Sequence, residues 1–234
     1  GATTRLTLGE CGSARSFDMT ILAIDTSVGV SVAIVEDGLV LAEHNVDAHG
    51  VQGELTAHLV AQALAEANKQ ASDVTDVVVG VGPGPFTGLR VGIACAHVFA
   101  FARNIPVHGM CSLDAVAFDY AKPCIVVTNA RRSELYWAQY ETDQEDSAHG
   151  LPVRGSAPGV LKPSALLQQF PDGHFVGPAA MLYPDVIQGT VLPLRAASLG
   201  RMFARGKATV LPVTPLYLRA PDAVAPGQPK SVLA

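Results

Sequence analysis

Apolar residues come first in short unbroken runs: Thr20 to Asp25 and Val30 to Val35, joined through Thr26-Ser27-Val28-Gly29. The polar triplet Glu36-Asp37-Gly38 then turns the chain into Leu39 to Val46. Runs of this length bounded by turn residues predict three strands in a meander. Val51, Leu55, Leu59 and Ala63 follow at helical spacing, which predicts a helix from Gly50 to Lys69. Val77 to Val81 predicts a buried strand, residues 87–103 a helix, Val107 to Cys111 a strand and Leu113 to Ala121 a helix. The order βββαβαβα, three antiparallel strands followed by parallel crossovers, predicts an α/β lobe of the ribonuclease H-like kind with helices on its faces.

Beyond residue 121 the pattern restarts with Cys124 to Asn129 and Glu134 to Glu141, separated by Ala130-Arg131-Arg132-Ser133, so a second sheet begins here. The stretch from Thr142 to Pro163 is rich in glycine, proline and charge. After it, only Ala165 to Phe170 and Arg195 to Lys207 read as helices, with Phe175 to Val176 extended. The expected division is a leader over 1–18, a first lobe over 19–120, a smaller second lobe over 121–215 and a C-terminal segment and tail over 216–234. The leader expectation rests on an opening Gly, the lack of an apolar core, and Met19 at the head of the first strand. Two successive sheet-led lobes are compatible with an old duplication.

Composition narrows the function classes. With 49% hydrophobic and 16% charged residues the chain folds, and its net charge of −5 gives it no overall excess for binding a polyanion. Cys11, Cys95, Cys111 and Cys124 lack a Cys-x-x-Cys spacing, which favours reduced thiols in the cytoplasm. The strongest apolar run, Val91 to Ala102, is short of a membrane span and carries His97.

The densest motif is Val81-Gly82-Pro83-Gly84-Pro85-Phe86-Thr87-Gly88-Leu89-Arg90-Val91-Gly92, a stiff loop at a helix entrance with Thr87 as the expected N-cap. It reads either as a rigid structural corner or as a phosphate cradle. Pro83 and Pro85 offer no N–H, and neither nucleotide-loop spacing is present, which favours the corner. The following helix is apolar on nearly every side, and Gly88, Gly92, Ala96 and Ala100 form a stripe of small residues four apart. Such a stripe admits a second helix backbone. That helix is either the chain's own, carrying Leu55 and Leu59, or part of a bundle shared with another subunit; the spare apolar faces favour the shared bundle.

Other constellations are thinner. Asp25 ends the first strand, where a metal-directing carboxylate could sit, but the strand over 77–81 ends without a second acid; the alternative is that Asp25 simply caps the turn after it. The seven histidines include no pair four apart, His44 falls on an edge-like strand, and no Gly-x-Ser-x-Gly elbow surrounds Ser27, Ser112 or Ser133. Arg131, Arg132 and Glu134 lie at a hairpin turn beside Tyr136 and Trp137, either gripping a carboxylate or phosphate or forming a solvated turn.

Four blocks taken together resemble the TsaB (YeaZ) family: Ile21 to Ser27, Gly82 to Gly92, Asn129 to Tyr136, and Tyr217-Leu218-Arg219, in that order. Asn129 stands where the family usually has Asp. The resemblance implies a two-lobed actin-like (ASKHA) fold and a place in the machinery that makes N6-threonylcarbamoyladenosine in tRNA. It implies a non-catalytic partner of TsaD, which transfers the threonylcarbamoyl group using a histidine-held metal, with TsaE as an associated ATPase. It further implies docking of TsaD, or of a second copy when TsaD is absent, on the helices over 50–69 and 87–103. Leu55, Leu59, Gly88, Gly92, Ala96 and Ala100 are the expected interface. Arg131 and Glu134 would line the joint surface near a nucleotide. The chain alone is expected to bind no cofactor; ATP or ADP and the metal come with TsaD and TsaE, and tRNA is reached through the complex. The rival readings are a glycoprotease-like metallopeptidase and a free-standing ATP-binding kinase-like protein.

Overall fold

The structure is a computed structural model and describes residues 19–47, 52–142, 152–206 and 208–219. The expected leader, His49, Gly50 and Val51 at the entrance to the first helix, and the tail beyond 219 lie outside these residues.

The first lobe is built on a sheet of β1 (Thr20–Asp25), β2 (Val30–Glu36), β3 (Leu39–Val46), β4 (Asp76–Gly80) and β5 (Val107–Met110). Its order is β3-β2-β1-β4-β5, with the meander antiparallel and β4 and β5 parallel to β1. β1 is buried along its whole length because both faces are covered. Leu22 and Ile24 meet α1 (Gln52–Glu66) and α2 (Phe86–Arg103), while Ile21 and Ala23 meet α3 (Ser112–Tyr120) and a late helix. Asn104 ends α2 in the left-handed conformation, and Pro106 follows.

The second sheet has the order β11-β10-β6-β7-β8, from β6 (Cys124–Asn129), β7 (Leu135–Thr142), β8 (Pro152–Arg154), β10 (Phe175–Val176) and β11 (Gly189–Thr190). β9 (Gly159–Leu161) also pairs with β7, and α4 (Pro163–Gln169) covers the far face. The short strands β8, β9 and β11 are not legible in the sequence; each begins with Pro or Gly, and two or three such residues show neither a period of two nor a pair of bulky apolar residues like that of β10.

Between the sheets stands α3. Its Ala115 and Phe118 join the first-lobe core, and its Leu113, Val116 and Ala117 join the core beneath β6 and β7. The late helix α5 (Ala196–Ala204) returns to the first lobe, with Ala196, Ala197, Leu199 and Met202 packed under β1 and β2. This corrects the expected second lobe over 121–215: the chain re-enters the first lobe at α5. Residues 211–216 then line that lobe's edge, through Leu211 N–H to the Gly109 carbonyl and Leu216 N–H to the Val81 carbonyl.

Candidate functional site

Three groups of residues carry the motifs, beginning at the C-terminal ends of β1 and β4. Asp25 is buried, and its Oδ1 accepts hydrogen bonds from the Ser27 amide at 2.8 Å and the Ser27 hydroxyl at 2.6 Å. It thus caps its own turn, as the sequence allowed. Burial raises its pKa above the usual carboxylate value, against hydrogen bonds from Ser112 and Ser27 that lower it. The Gly-Pro loop closes beside it. Gly82, Pro83 and Gly84 are buried, and the Gly82–Pro83 peptide is cis. Gly82, at φ +100°, donates its N–H to Ser112 Oγ at 3.1 Å. A side chain at Gly84 would run into Ser27. With the Gly82 N–H committed and Pro83 and Pro85 lacking theirs, these three positions offer no donor to an anion.

Thr87 is not the N-cap. That position is Pro85, in extended geometry and without a side-chain cap, so Phe86 is the first helical residue and Thr87 is exposed. Phe86 is placed there to stack on Tyr217, with ring centroids 4.8 Å apart, and Arg90 lies over its ring at 4.1 Å.

The second group is α2 itself. Its stripe of small residues points inward. A Cβ on Gly88 would sit 2.7 Å from the Thr26 carbonyl oxygen, and Ala96 and Ala100 belong to the first-lobe core with Leu59. Leu55 is half-buried against that core. The expected interface of Gly88, Gly92, Ala96, Ala100 and Leu59 is therefore covered within one protomer. The physical reason is that the β1–β2 turn, not a foreign helix, fills the groove the glycines leave. The open side of α2 is the opposite one, where Ala94 is exposed, Val98 is 69% exposed and Phe101 is 91% exposed.

The third group is the β6–β7 hairpin. Arg131, Arg132 and Ser133 all adopt left-handed φ angles of 60°, 50° and 58°. For residues with side chains this costs about 1–2 kcal/mol each. The Asn129 carboxamide accepts the Arg131 N–H at 2.7 Å, and Arg219 donates to the Ala130 carbonyl at 2.9 Å and pairs with Glu134. All three turn residues are exposed, whereas Tyr136 and Trp137 are buried. Glu134 is thus held by the chain's own C-terminal segment, which sequence reasoning does not foresee.

One buried polar cluster escapes the sequence altogether. Tyr140 donates its hydroxyl to Asp114 Oδ1 at 2.6 Å, and Arg154 Nε reaches the same oxygen at 2.9 Å, joining α3 to β7 and β8. Burial lifts the Asp114 pKa to about 6, opposed by the Arg154 charge and the Tyr140 hydrogen bond. The three residues are widely separated in sequence and match no motif. Among the described residues no group of three or more His, Cys, Asp or Glu could hold a metal ion, and no helix is long and apolar enough to cross a membrane.

Two sheets with α3 between them, the first led by a β-meander and closed by a returning helix, define a two-lobed actin-like protein. Its β1 carboxylate accepts two hydrogen bonds from its own turn, and its second helix carries the exposed Val98 and Phe101. The sequence profile described as "TsaD: tRNA N6-adenosine threonylcarbamoyltransferase" matches residues 52–183. An uncharacterised protein of Mycobacterium tuberculosis is 40% identical over 87% of this chain and 93% of its own length. The tRNA threonylcarbamoyladenosine biosynthesis protein TsaB of Escherichia coli is 30% identical over 86% of this chain and 95% of its own. The solved structure of YeaZ from Pseudomonas aeruginosa superposes with a TM-score of 0.70 at 27% identity, covering 86% of this chain and all of that one. The chain belongs to the TsaB (YeaZ) family.

Proposed function

We propose that this protein is a non-catalytic subunit of the cytoplasmic machinery that forms N6-threonylcarbamoyladenosine in tRNA, and that it docks a TsaD partner on the outward face of α2. The role in this pathway is supported by relatives named for it in Escherichia coli and Bacillus subtilis. The docking surface rests on one observation: Phe101 and Val98 stand 91% and 69% exposed on a helix whose other side is closed in the core. Burying a phenylalanine side chain stabilises a complex by about 1.5–3 kcal/mol, and large apolar side chains left in water mark contact surfaces.

On this reading the nucleotide and the metal belong to TsaD and TsaE, and the same α2 face joins two copies of this chain when TsaD is absent. The non-catalytic assignment is supported by the use of Asp25 and the Gly-Pro loop as packing elements. The test is co-purification with cognate TsaD. Phe101→Asp and Val98→Asp should each abolish it while leaving the melting temperature of the free chain unchanged. In the reconstituted reaction, omitting this chain should halt modification. Undiminished binding by both variants, or modification by this chain alone, would overturn the reading. Stoichiometric metal with glycoprotein hydrolysis would favour the metallopeptidase instead, and a thermal shift of the lone chain on adding ATP the kinase-like protein.

A further inference from the structure

Residues 211–219 follow α5 without a helix or strand of their own, yet they touch both lobes. Leu211 packs against the first-lobe core under α1 and α2 and also against the core beneath β6 and β7. The hold on the first lobe is extensive. The Leu211 N–H donates to the Gly109 carbonyl at 2.8 Å and the Leu216 N–H to the Val81 carbonyl at 2.7 Å, at the C-terminal ends of β5 and β4. Val213 and Leu216 pack against the core under α1 and α2, and Tyr217 stacks on Phe86 at 4.8 Å. A Cβ on Gly109 would meet the Leu211 and Pro212 carbonyl oxygens at 2.8 and 2.9 Å, so the segment lies directly on β5. It is also stiff: Pro212 and Pro215 fix φ, and their carbonyls accept the Thr214 and Tyr217 N–H groups at 2.8 and 3.0 Å. On the second lobe the polar hold is one side chain, Arg219, which donates to the Ala130 carbonyl at 2.9 Å and pairs with Glu134.

We propose that residues 211–219 are a strap that locks the second lobe against the first, with Arg219 as its clasp. α3 belongs to the cores of both lobes, and two bodies joined along one helix can move about it by hinge or shear. The strap adds a second tie, anchored at the ends of β4 and β5 and the start of α2 rather than on α3. The tie is short as well as stiff. Leu216, bonded to Val81, and Arg219, bonded to Ala130, are separated by about 10 Å of chain at full extension. The clasp suits arginine, whose rigid fork reaches a carbonyl and a carboxylate at once where lysine offers a point charge. It is also releasable, because the Arg219–Glu134 pair is partly exposed. The inference goes beyond the docking reading and does not depend on it, since every contact lies within one protomer. With the clasp closed a partner meets the α2 face and the second lobe in one fixed arrangement; with it open the two move separately.

The test is the distribution of distances between nitroxide labels on Gln62 of α1 and Asp172 of the second lobe, measured by double electron–electron resonance on the full chain. Both positions are exposed, and p-acetylphenylalanine carries the labels so that Cys95, Cys111 and Cys124 stay untouched. An excess of unlabelled chain restricts the signal to pairs within one copy. The wild-type chain should give a single narrow distribution. Arg219→Ala should broaden it about twofold, while amide exchange in α3 and in β6 below Thr128 stays as in the wild type. If circular dichroism finds Arg219→Ala unfolded, Arg219→Lys, which keeps the charge but not the fork, decides in its place and should broaden the distribution likewise. An unchanged distribution in the deciding variant would overturn the proposal, and so would a broad distribution in the wild type. Faster exchange in α3 or β6 alongside the broadening would also sink it, because Arg219 would then be supporting the fold of the second lobe rather than its placement.

Discussion

The Thr26 hydroxyl occupies the space that a side chain at residue 92 would need: a Cβ on Gly92 would lie 2.2 Å from Thr26 Oγ1. The same hydroxyl donates to the Gly88 carbonyl at 2.7 Å and accepts the Gly92 N–H at 3.1 Å, tying the β1–β2 turn to α2. Gly92→Ala should therefore lower stability by about 1–3 kcal/mol through overpacking. Most of that loss should vanish in a Thr26→Ala background, because the obstructing atom is gone. A double-mutant cycle in urea measures the coupling. Strict additivity would show that the glycine is required for another reason. The same geometry makes a bulky residue at 92 a folding variant, unsuited to testing partner binding.

Phe101 behaves in the opposite way. At 91% exposed it has almost no burial to lose, so Phe101→Ser should change the stability of the free chain by less than about 0.5 kcal/mol. Thermal unfolding of the isolated protein checks this. A drop of several degrees would mean that the ring packs within the protomer in solution.

These two residues also mark the boundary of what sequence can convey. β1, β3 and β6 have the bounds expected of them, because an apolar run stopped by turn residues is a local signal. The stripe over Gly88, Gly92, Ala96 and Ala100 is equally visible, and it does mark a close approach. Its occupant is not visible, since Thr26 lies 62 positions before Gly88 and only the tertiary fold brings them together. The open face of α2 is hidden for a related reason. A helix apolar on every side gives no indication of which side the core takes. The resemblance places Glu134 near a nucleotide, and its pairing with Arg219, 85 positions later in a block legible only as a family motif, is invisible in the sequence.

The Asp114 cluster predicts a pH dependence of stability. Its folded pKa of about 6 lies above the ordinary 3.8, so the folded chain holds a proton there that the unfolded chain has released. Stability from this group is complete below pH 3.8 and is lost as pH rises through about 6. Asp25 and Asp119 are raised as well and act in the same sense. Asp114→Asn should reduce the fall in unfolding free energy between pH 4 and 6, by at most about 1.4 kcal/mol per pH unit. Above about pH 6, where the carboxylate is charged, the variant should also be weaker because Arg154 is left without its partner. Urea unfolding at intervals from pH 4 to above about pH 6 checks both effects. An unaltered slope would assign the pH dependence to the other carboxylates.

Arg219 should govern the β6–β7 turn more than the fold. Its ion pair with Glu134 is partly exposed, so Arg219→Ala should cost only about 1 kcal/mol of global stability. The turn is different. Three successive left-handed residues persist only where their neighbours hold them, and Arg219 supplies two such holds, on the Ala130 carbonyl and on Glu134. Without the arginine the Asn129 carboxamide is left to hold Arg131 through one hydrogen bond. Amide hydrogen exchange should then accelerate at Ala130 and Glu134, whose N–H groups close the turn on the Glu134 and Arg131 carbonyls. Exchange in β6 below Thr128, paired throughout with β7, should be unchanged. Equal acceleration along both strands would mean that Arg219 supports the second sheet as a whole, and no change anywhere would leave the turn to be held by its own backbone.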